Sequence, residues 1–149
     1  RTAMQALETL KVKGDVKIVI TRANGSIETK EIHNLVVATG LNYIVSRMKD
    51  ASATAMSHMA IGSGSTAAAA GNTTLGTELG RVALTSATVS ANTIQYVASF
   101  PAGTGTGPVT EAGLLNAASG GTLLCRTKFG IVTKDAADSM TITWTVTVI

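Results

Sequence analysis

The sequence predicts a mainly β protein: an antiparallel β-sandwich or jelly-roll-like domain with one short helix. The last ten residues, MTITWTVTVI, alternate apolar side chains with threonines. Because successive side chains of a strand point to opposite faces, this alternation places one face on a core. Similar runs recur along the chain between short Gly-, Asn- and Ser-containing breaks. Together they predict seven or eight strands, the number typical of a sandwich.

Length, charge and cysteine content limit the class of protein. The 149 residues suit one domain that can bury a core. The net charge of +3 is too weak and too dispersed to indicate nucleic-acid binding. Cys125 is the only cysteine, which rules out an intrachain disulfide, and its apolar neighbours predict a small buried side chain. No apolar run approaches the roughly 20 residues that span a membrane, so we expect no membrane association.

Residues 1–14 are predicted to be an N-terminal arm, and residues 15–149 a single β-sandwich domain. Leu7 and Leu10 would share one face of a short helix, but the same segment could reach across a neighbouring subunit. A frayed terminus is the default interpretation of such a segment, and a functional arm is the alternative.

A β-hairpin is predicted directly after the arm. An alternating run covers residues 16–21, the sequence Ala-Asn-Gly-Ser occupies residues 23–26, and residues 27–37 form a second run. Asn-Gly between two such runs is a strong hairpin signal, because both residues tolerate a positive φ.

Residues 38–49 predict the helix. Their apolar residues recur at the spacing of a single stripe, which we expect to be buried. The stripe consists of Leu41, Ile44, Val45 and Met48. Thr39 is a suitable N-cap, and Arg47 and Lys49 lie near the C-terminus, where the helix dipole favours cations.

The middle of the chain is rich in glycine and low in complexity. Residues 56–62 predict a short strand, and residues 63–80, SGSTAAAAGNTTLGTELG, predict a long surface loop with one helical turn around residues 75–79. A loop of this length is usually functional or disordered. Further strands are predicted over residues 81–86, 88–100, 109–116, 122–133 and 140–149.

A search for catalytic or ligand-binding motifs predicts no enzyme, no cofactor and no metal. The two histidines, His33 and His58, have no accompanying cluster of the kind that zinc requires. The Gly62-Ser63-Gly64 sequence lacks the lysine of a phosphate-binding loop. The neighbouring serines lack the context of a nucleophile elbow.

Three charged residues stand alone in a neutral region. Glu78, Arg81 and Glu111 are the only charges between Asp50 and Arg126. An isolated charge in apolar surroundings is costly unless it is paired. We therefore predict that Arg81 pairs with Glu78 or Glu111 and holds the long loop against the sheet. Paired carboxylates for acid–base chemistry are the alternative, although no aromatic platform accompanies them.

Three segments carry a resemblance to a known class of proteins. They read HNLVV..G...I..RM at residues 33–48, AIGSG.T....G.T.L..EL.R at residues 60–81, and TEAGL.NA.SGG.LL.R at residues 110–126. In this order, followed by TITWTVTVI, they resemble small virion structural proteins of tailed bacteriophages. The resemblance is spread over nearly the whole chain and brings no catalytic residues with it.

The resemblance implies a non-enzymatic component of the virion, assembled in the cytoplasm of the bacterial host. The first expectation is a capsid decoration (cement) protein that binds between major capsid protein subunits and stabilises the DNA-filled head. Its partners would be the major capsid protein and neighbouring copies of itself, as a dimer or trimer. The alternative is a tail, baseplate or fibre-attachment adaptor.

Candidate contact residues for these partners lie in three segments, each of which could equally be a mobile surface segment. The segments are the arm, the long loop, and the Gly- and Thr-rich break at residues 101–108. The candidates are Arg1, Leu7, Leu10, Lys11, Ser63, Thr66, Asn72, Leu75, Thr104 and Thr106.

Overall fold

The computed structural model of the protein describes residues 11–149, which form nine strands and one helix. The elements are β1 (Val12–Thr21), β2 (Ile27–Val36), α1 (Ala38–Lys49), β3 (His58–Gly62), β4 (Glu78–Ala83), β5 (Ser86–Ser90), β6 (Thr93–Phe100), β7 (Gly107–Leu115), β8 (Leu123–Lys134) and β9 (Ser139–Val148). The predicted mainly β fold with one short helix is confirmed.

All nine strands belong to one antiparallel sheet in the order β4-β3-β7-β8-β2-β1-β9-β6-β5. The two ends of this order, β4 and β5, are consecutive in the chain and separated only by Leu84 and Thr85. The amide of Leu84 donates to the carbonyl of Ser57 at 2.9 Å, and that of Thr85 donates to Val97 at 2.7 Å. The chain therefore passes from one edge of the sheet to the other, and the sheet curls around the main core cluster.

The opposite side of the curl is a partly open seam between β2 and β8. These strands pair only where Leu35 and Val36 face Arg126 and Cys125. Farther along, side chains bridge the gap. The Lys30 Nζ donates to the carbonyl of Gly130 at 3.2 Å. The seam and the β4–β5 crossing divide the sheet into two halves, and buried residues of both halves share the main core cluster, as in a sandwich.

The C-terminal strand β9 lies in the core as its alternation predicts. β9 pairs with β1 on one side and with β6 on the other, and its inward-facing side chains are buried. The buried residues of this face are Met140, Ile142, Trp144 and Val146. The threonines between them lie on the other face and are half-buried. The hairpin is also confirmed, with Gly25 at a φ of 87° in the turn between β1 and β2.

Helix α1 has the predicted bounds, but the prediction that its apolar stripe is buried is wrong. Most of the stripe faces solvent, with exposed fractions of 46% for Leu41, 64% for Val45 and 79% for Met48. The buried residue of the helix is Gly40. A Cβ at Gly40 would lie 2.1 Å from the carbonyl oxygen of Leu124. The helix therefore lies against β8 through its glycine, and this close approach turns the stripe outward.

The predicted N-cap of α1 is also wrong. Val37 occupies the N-cap position without a side-chain hydrogen bond. Thr39 lies inside the helix, and its Oγ1 donates to the carbonyl of Leu123 at 2.8 Å. Arg47 and Lys49 do lie in the last turn, as predicted.

Two predictions in the middle of the chain are corrected. The strand predicted over residues 88–100 is a hairpin of β5 and β6, because Ala91 has a φ of 51° and the chain reverses there. The helical turn predicted around residues 75–79 does not form. Instead β4 begins at Glu78 and pairs with β3.

The predicted domain begins at residue 15, but the first strand of the domain, β1, already begins at Val12. Residues 12–14 belong to β1 and pair with β9. Lys11 extends this pairing, since its amide donates to Ile149 at 2.9 Å and its carbonyl accepts from Ile149 at 2.7 Å. The remainder of the predicted arm, including Arg1, Leu7 and Leu10, lies outside the described residues.

Candidate functional site

A buried carboxylate holds the ends of the long loop between β3 and β4. Glu111 lies on β7 and is fully buried. Its Oε2 accepts hydrogen bonds from the amides of Gly64 at 2.5 Å and Thr77 at 2.8 Å. Its Oε1 accepts from the amide of Gly76 at 2.8 Å. One side chain thus binds both ends of the loop, which the sequence predicts to be a surface element.

Arg126 on β8 completes this arrangement. Its Nε donates to Oε1 of Glu111 at 3.0 Å. Its Nη1 donates to Oδ1 of Asn72 at 3.0 Å, and its Nη2 donates to the carbonyl of Thr66 at 2.8 Å. The guanidinium is itself buried. We refer to Glu111 and Arg126, with the loop contacts they make, as the loop anchor.

The surroundings of Glu111 keep it ionised. Burial by itself would raise the pKa of this carboxyl. The hydrogen bonds from the amides of Thr77, Gly76 and Gly64 and from the guanidinium of Arg126 lower the pKa by more than burial raises it, so the net shift is downward. Each carboxylate oxygen accepts two hydrogen bonds, which uses its full capacity. A carboxylate with a lowered pKa and no free lone pair is unsuited to general acid–base catalysis.

Three glycines, at the end of β3 and in the long loop, are required by this packing. A Cβ at Gly64 would lie 2.3 Å from Oε2 of Glu111, and a Cβ at Gly62 would lie 2.3 Å from the carbonyl oxygen of Thr77. Gly76 packs against the α-carbon of Gly64. Loop backbone and carboxylate could not approach each other so closely with larger residues at these positions. The glycine spacing that the sequence shows is therefore a condition for the loop anchor.

Arg81 forms a second ion pair, with Glu78. Its Nη2 lies 2.7 Å from Oε1 of Glu78, and its Nε lies 3.2 Å from Oε2. Its Nη1 donates to the carbonyls of Ala117 and Gly120, each at 2.9 Å. We refer to these contacts of Arg81 as the turn anchor, because they hold the turn between β7 and β8.

Of the two partners predicted for Arg81, the structure pairs it with Glu78. Glu111, the other predicted partner, pairs with Arg126. The expectation that Arg81 holds the long loop is corrected, since Arg81 contacts the β7–β8 turn and the loop anchor binds the long loop. The reason is geometric: Glu111 points beneath the loop, whereas Arg81 lies on β4 beside the turn. Arg126 is the residue of the candidate site that sequence reasoning missed.

Among the described residues, His33 and His58 each contact one polar side chain, and the Nδ1 of His33 lies 2.6 Å from Oδ1 of Asp15. The Oγ of Ser57 and the Nδ1 of His58 are 2.8 Å apart, but these two residues are adjacent in sequence. Within residues 11–149, no group of three or more His, Cys, Asp and Glu side chains could hold a metal ion. Burial raises the pKa of the Cys125 thiol to about 12, so this thiol is unreactive at neutral pH.

The predicted contact residues that the structure describes are distributed unevenly. Lys11, Thr66 and Thr106 are exposed, whereas Ser63, Asn72 and Thr104 are half-buried. Leu75 does not lie on the surface, as a partner contact would require. It is buried in a small core cluster with Val37, Ala60, Leu115 and Leu123. Its side chain fixes the loop to the body of the protein and offers no surface to a partner.

Three exposed large apolar side chains lie on α1. We refer to Leu41, Val45 and Met48 as the helix surface. They follow one another at intervals of four and three residues, which places them on one side of the helix. Sequence periodicity identifies these residues as a stripe but does not say which way the stripe faces.

Comparison with known proteins finds no matching family model, no similar curated protein and no similar solved structure. Among residues 11–149, no helix is long and apolar enough to cross a membrane. A function for this chain must therefore be argued from its own geometry.

Proposed function

We propose that this chain is a non-enzymatic structural protein of a bacteriophage virion, and specifically a capsid decoration (cement) protein that binds between major capsid protein subunits. The observation that carries the proposal is the helix surface, an apolar stripe displayed on the outside of a curled sheet. The resemblance of the three sequence segments to virion proteins supports the same conclusion.

An outward apolar stripe is unfavourable in a free chain and favourable in an assembly. Leu41, Val45 and Met48 keep about half or more of their surface in water. Apolar surface removed from water contributes about 25 cal/mol per Å². An apolar helix face of this spacing commonly docks into a groove of a partner protein. The shell offers such a partner in the major capsid protein.

The loop anchor supports the same proposal by fixing the long loop before any partner binds. Glu111 and Arg126 bind the loop backbone at Gly64, Thr66 and Gly76. Because the loop is already ordered by these contacts, less conformational entropy is lost when its exposed residues meet another subunit. A loop held by these contacts beside an exposed helix suits a protein whose role is mechanical.

The mechanism of a decoration protein follows from repetition. The shell presents many equivalent joints, and a symmetric oligomer of this chain would engage several of them at once. Linked binding events raise the overall affinity without any new contact. Each bound copy would then oppose separation of the capsid subunits when packaged DNA presses outward.

Copy number in the purified virion tests the location. Quantitative mass spectrometry should give a ratio to the major capsid protein that is comparable to one. A much lower ratio, equal to the symmetry of a tail ring, would replace the decoration role with a tail, baseplate or fibre-attachment adaptor. Absence of the protein from the particle would contradict both roles.

A charge placed on the helix surface tests the binding mode. The variant Val45→Asp should bind heads stripped of this protein at least about tenfold more weakly, because a carboxylate would replace an apolar contact. Ile131→Asp is the matched control, since Ile131 is 67% exposed and lies on β8 instead of α1. Equal binding by the two variants would show that the helix surface is not the contact.

A further inference from the structure

Within residues 11–149, β5 has one edge with which no other strand pairs. The strand pairs with β6 alone, and all five of its residues are exposed, including Val89 at 71%. The strand at the other end of the sheet order, β4, is packed more closely. Four of its six residues are half-buried, and a Cβ at Gly80 would lie 2.9 Å from the amide nitrogen of Gly105 in the loop after β6. We refer to the unpaired side of β5 as the free edge.

The free edge lacks the features by which proteins usually protect an edge strand. Such strands commonly carry a lysine or another charge, a proline, or a bulge that interrupts the ladder. The sequence of β5, SATVS, contains no charged residue and no proline, and its register with β6 runs without a shift. An exposed strand without these features is suited to accept another strand along its edge.

The hairpin geometry identifies the backbone groups that the free edge presents. Ser90 and Thr93 close the two-residue turn between β5 and β6. In a hairpin of this kind the closing pair exchanges both hydrogen bonds, and bonded positions then alternate along the ladder. Every second residue of β5, counted back from Ser90, therefore bonds to β6. The residues between them, Ala87 and Val89, direct their N–H and C=O groups to the free edge.

The sequence of β5 suits pairing with a second copy of itself. Ser-Ala-Thr-Val-Ser has the same order of polar and apolar residues in both directions. A two-fold axis at Thr88 would place Thr88 opposite Thr88, Ala87 opposite Val89, and Ser86 opposite Ser90. The outward N–H and C=O groups of Ala87 would then meet those of Val89 in the other copy. We propose that β5 pairs antiparallel with β5 of a second copy across this axis.

The pairing joins the same surface of both copies, so it closes as a dimer. It places no two charged residues of β5 opposite each other, because the strand has none. The strand is short, and small interfaces belong to the weak class, so we expect dissociation constants in the micromolar to millimolar range. The inference rests on β5 and not on the function proposed above. Association in solution tests the strand pairing, whereas copy number in the virion tests the function.

Two charge variants at the axis test the interface. Thr88→Lys alone and Thr88→Glu alone should each raise the dissociation constant of the dimer at least about fivefold, because like charges then face each other. A mixture of the two variants should recover the association, because opposite charges face each other in the mixed dimer. Sedimentation velocity of the full chain measures all three samples. Thr29→Lys and Thr29→Glu are the matched controls, since Thr29 is exposed on β2, and both should associate like the unchanged chain.

Two outcomes of the sedimentation experiment would overturn the proposal. The unchanged chain could remain monomeric at millimolar concentration, which would mean that the free edge does not pair. Alternatively, the chain could associate equally well with and without a charge at Thr88, which would place the dimer contact elsewhere.

Cysteine cross-linking tests the register. Thr88→Cys should form a disulfide-linked dimer under mild oxidation, because opposite residues of a non-hydrogen-bonded pair bring their α-carbons to about 4.5 Å. Ser86→Cys should cross-link slowly alone and rapidly when it is mixed with Ser90→Cys. Cys125 is fully buried and should not react. Rapid cross-linking of Ser86→Cys alone would mean a different register and would overturn the axis at Thr88.

Discussion

The loop anchor and the turn anchor contain the same chemical groups in different surroundings. Each consists of an arginine paired with a glutamate, and each arginine also binds two acceptors in a neighbouring loop or turn. The exposed fractions of the two side chains are 1% and 0% in the pair of Arg126 and Glu111. They are 11% and 36% in the pair of Arg81 and Glu78. The two pairs differ in their burial and in the three loop amides that Glu111 also binds.

Burial makes the loop anchor a requirement of the fold and leaves the turn anchor an addition to it. Removing one partner of a buried pair leaves an uncompensated charge in the core. When one partner of a partly exposed pair is removed, water hydrates the charge that remains. Glu111 also accepts hydrogen bonds from three loop amides. The presence of an ion pair therefore says little about stability until the surroundings are known.

The largest effect should come from Glu111→Ala. The change leaves the buried guanidinium of Arg126 and three loop amides without their acceptor, so the free energy of unfolding should fall by about 3–5 kcal/mol. Chemical denaturation measures this loss. Glu78→Ala is the matched control in the turn anchor and should cost less than about 1 kcal/mol.

Equal losses in the two alanine variants would show that burial does not separate the two anchors. If Glu111→Ala does not fold, Glu111→Gln can be measured in its place. That variant keeps the shape of the side chain and removes its charge. It should still lose more stability than Glu78→Gln.

The next effect should come from Gly64→Ala. The added methyl group would lie 2.3 Å from Oε2 of Glu111 and would force the carboxylate or the loop to move. Such overpacking costs about 1–3 kcal/mol in the free energy of unfolding. Gly71→Ala, in the same loop, is the control because nothing lies within 4 Å of its Cβ position. A similar loss in both variants would mean that the loop tolerates no methyl group anywhere, and would remove the special role of the loop anchor.

A pH titration should show a smaller effect of the same kind. The pKa of Glu111 is lowered from its ordinary value of 4.5 in the folded chain, so between the two values the unfolded chain binds more protons. The stability that this group contributes is complete above about pH 4.5 and is lost as the pH falls through the folded pKa. Urea midpoints between about pH 7 and pH 3 measure the decline.

Glu111→Gln should flatten that decline without abolishing it. Asp138 also has a lowered pKa, chiefly because the amide of Asp135 donates to it, and this carboxyl remains in the variant. An identical acid slope in the variant and the unchanged chain would show that Glu111 does not couple protonation to folding.

Local patterns predict much of this fold because local geometry decides it. The alternation in β9 fixes its buried face, and the Asn-Gly turn fixes the first hairpin. The bounds of α1 follow from its periodicity. The direction of its apolar stripe does not, because that depends on how closely Gly40 approaches Leu124 in a strand 84 positions away in sequence. Periodicity describes one element, whereas orientation depends on its neighbour.

The candidate site shows the same division between local and distant information. The isolation of Glu111 in an apolar run correctly indicates that this charge needs a partner. The identity of the partner depends on the β7–β8 register, which pairs Gly113 with Arg126 and shifts between Val109 and Glu111. That shift cannot be predicted from one sequence. The glycines at positions 62, 64 and 76 are required by close packing, but in the sequence alone they cannot be distinguished from the glycines of an ordinary loop.

The smallest effect should come from the turn anchor itself. Arg81→Ala removes a partly exposed ion pair and two hydrogen bonds to the β7–β8 turn, so the free energy of unfolding should fall by about 1 kcal/mol. Glu78→Gln removes the charge of the pair and keeps both bonds to the turn, and it should cost about half as much or less. Chemical denaturation of the two variants separates the contributions, and faster amide exchange at Gly120 in Arg81→Ala alone would locate the effect in the turn. A loss as large as that of Glu111→Ala would mean that solvent does not replace this pair, and that burial is not what distinguishes the two anchors.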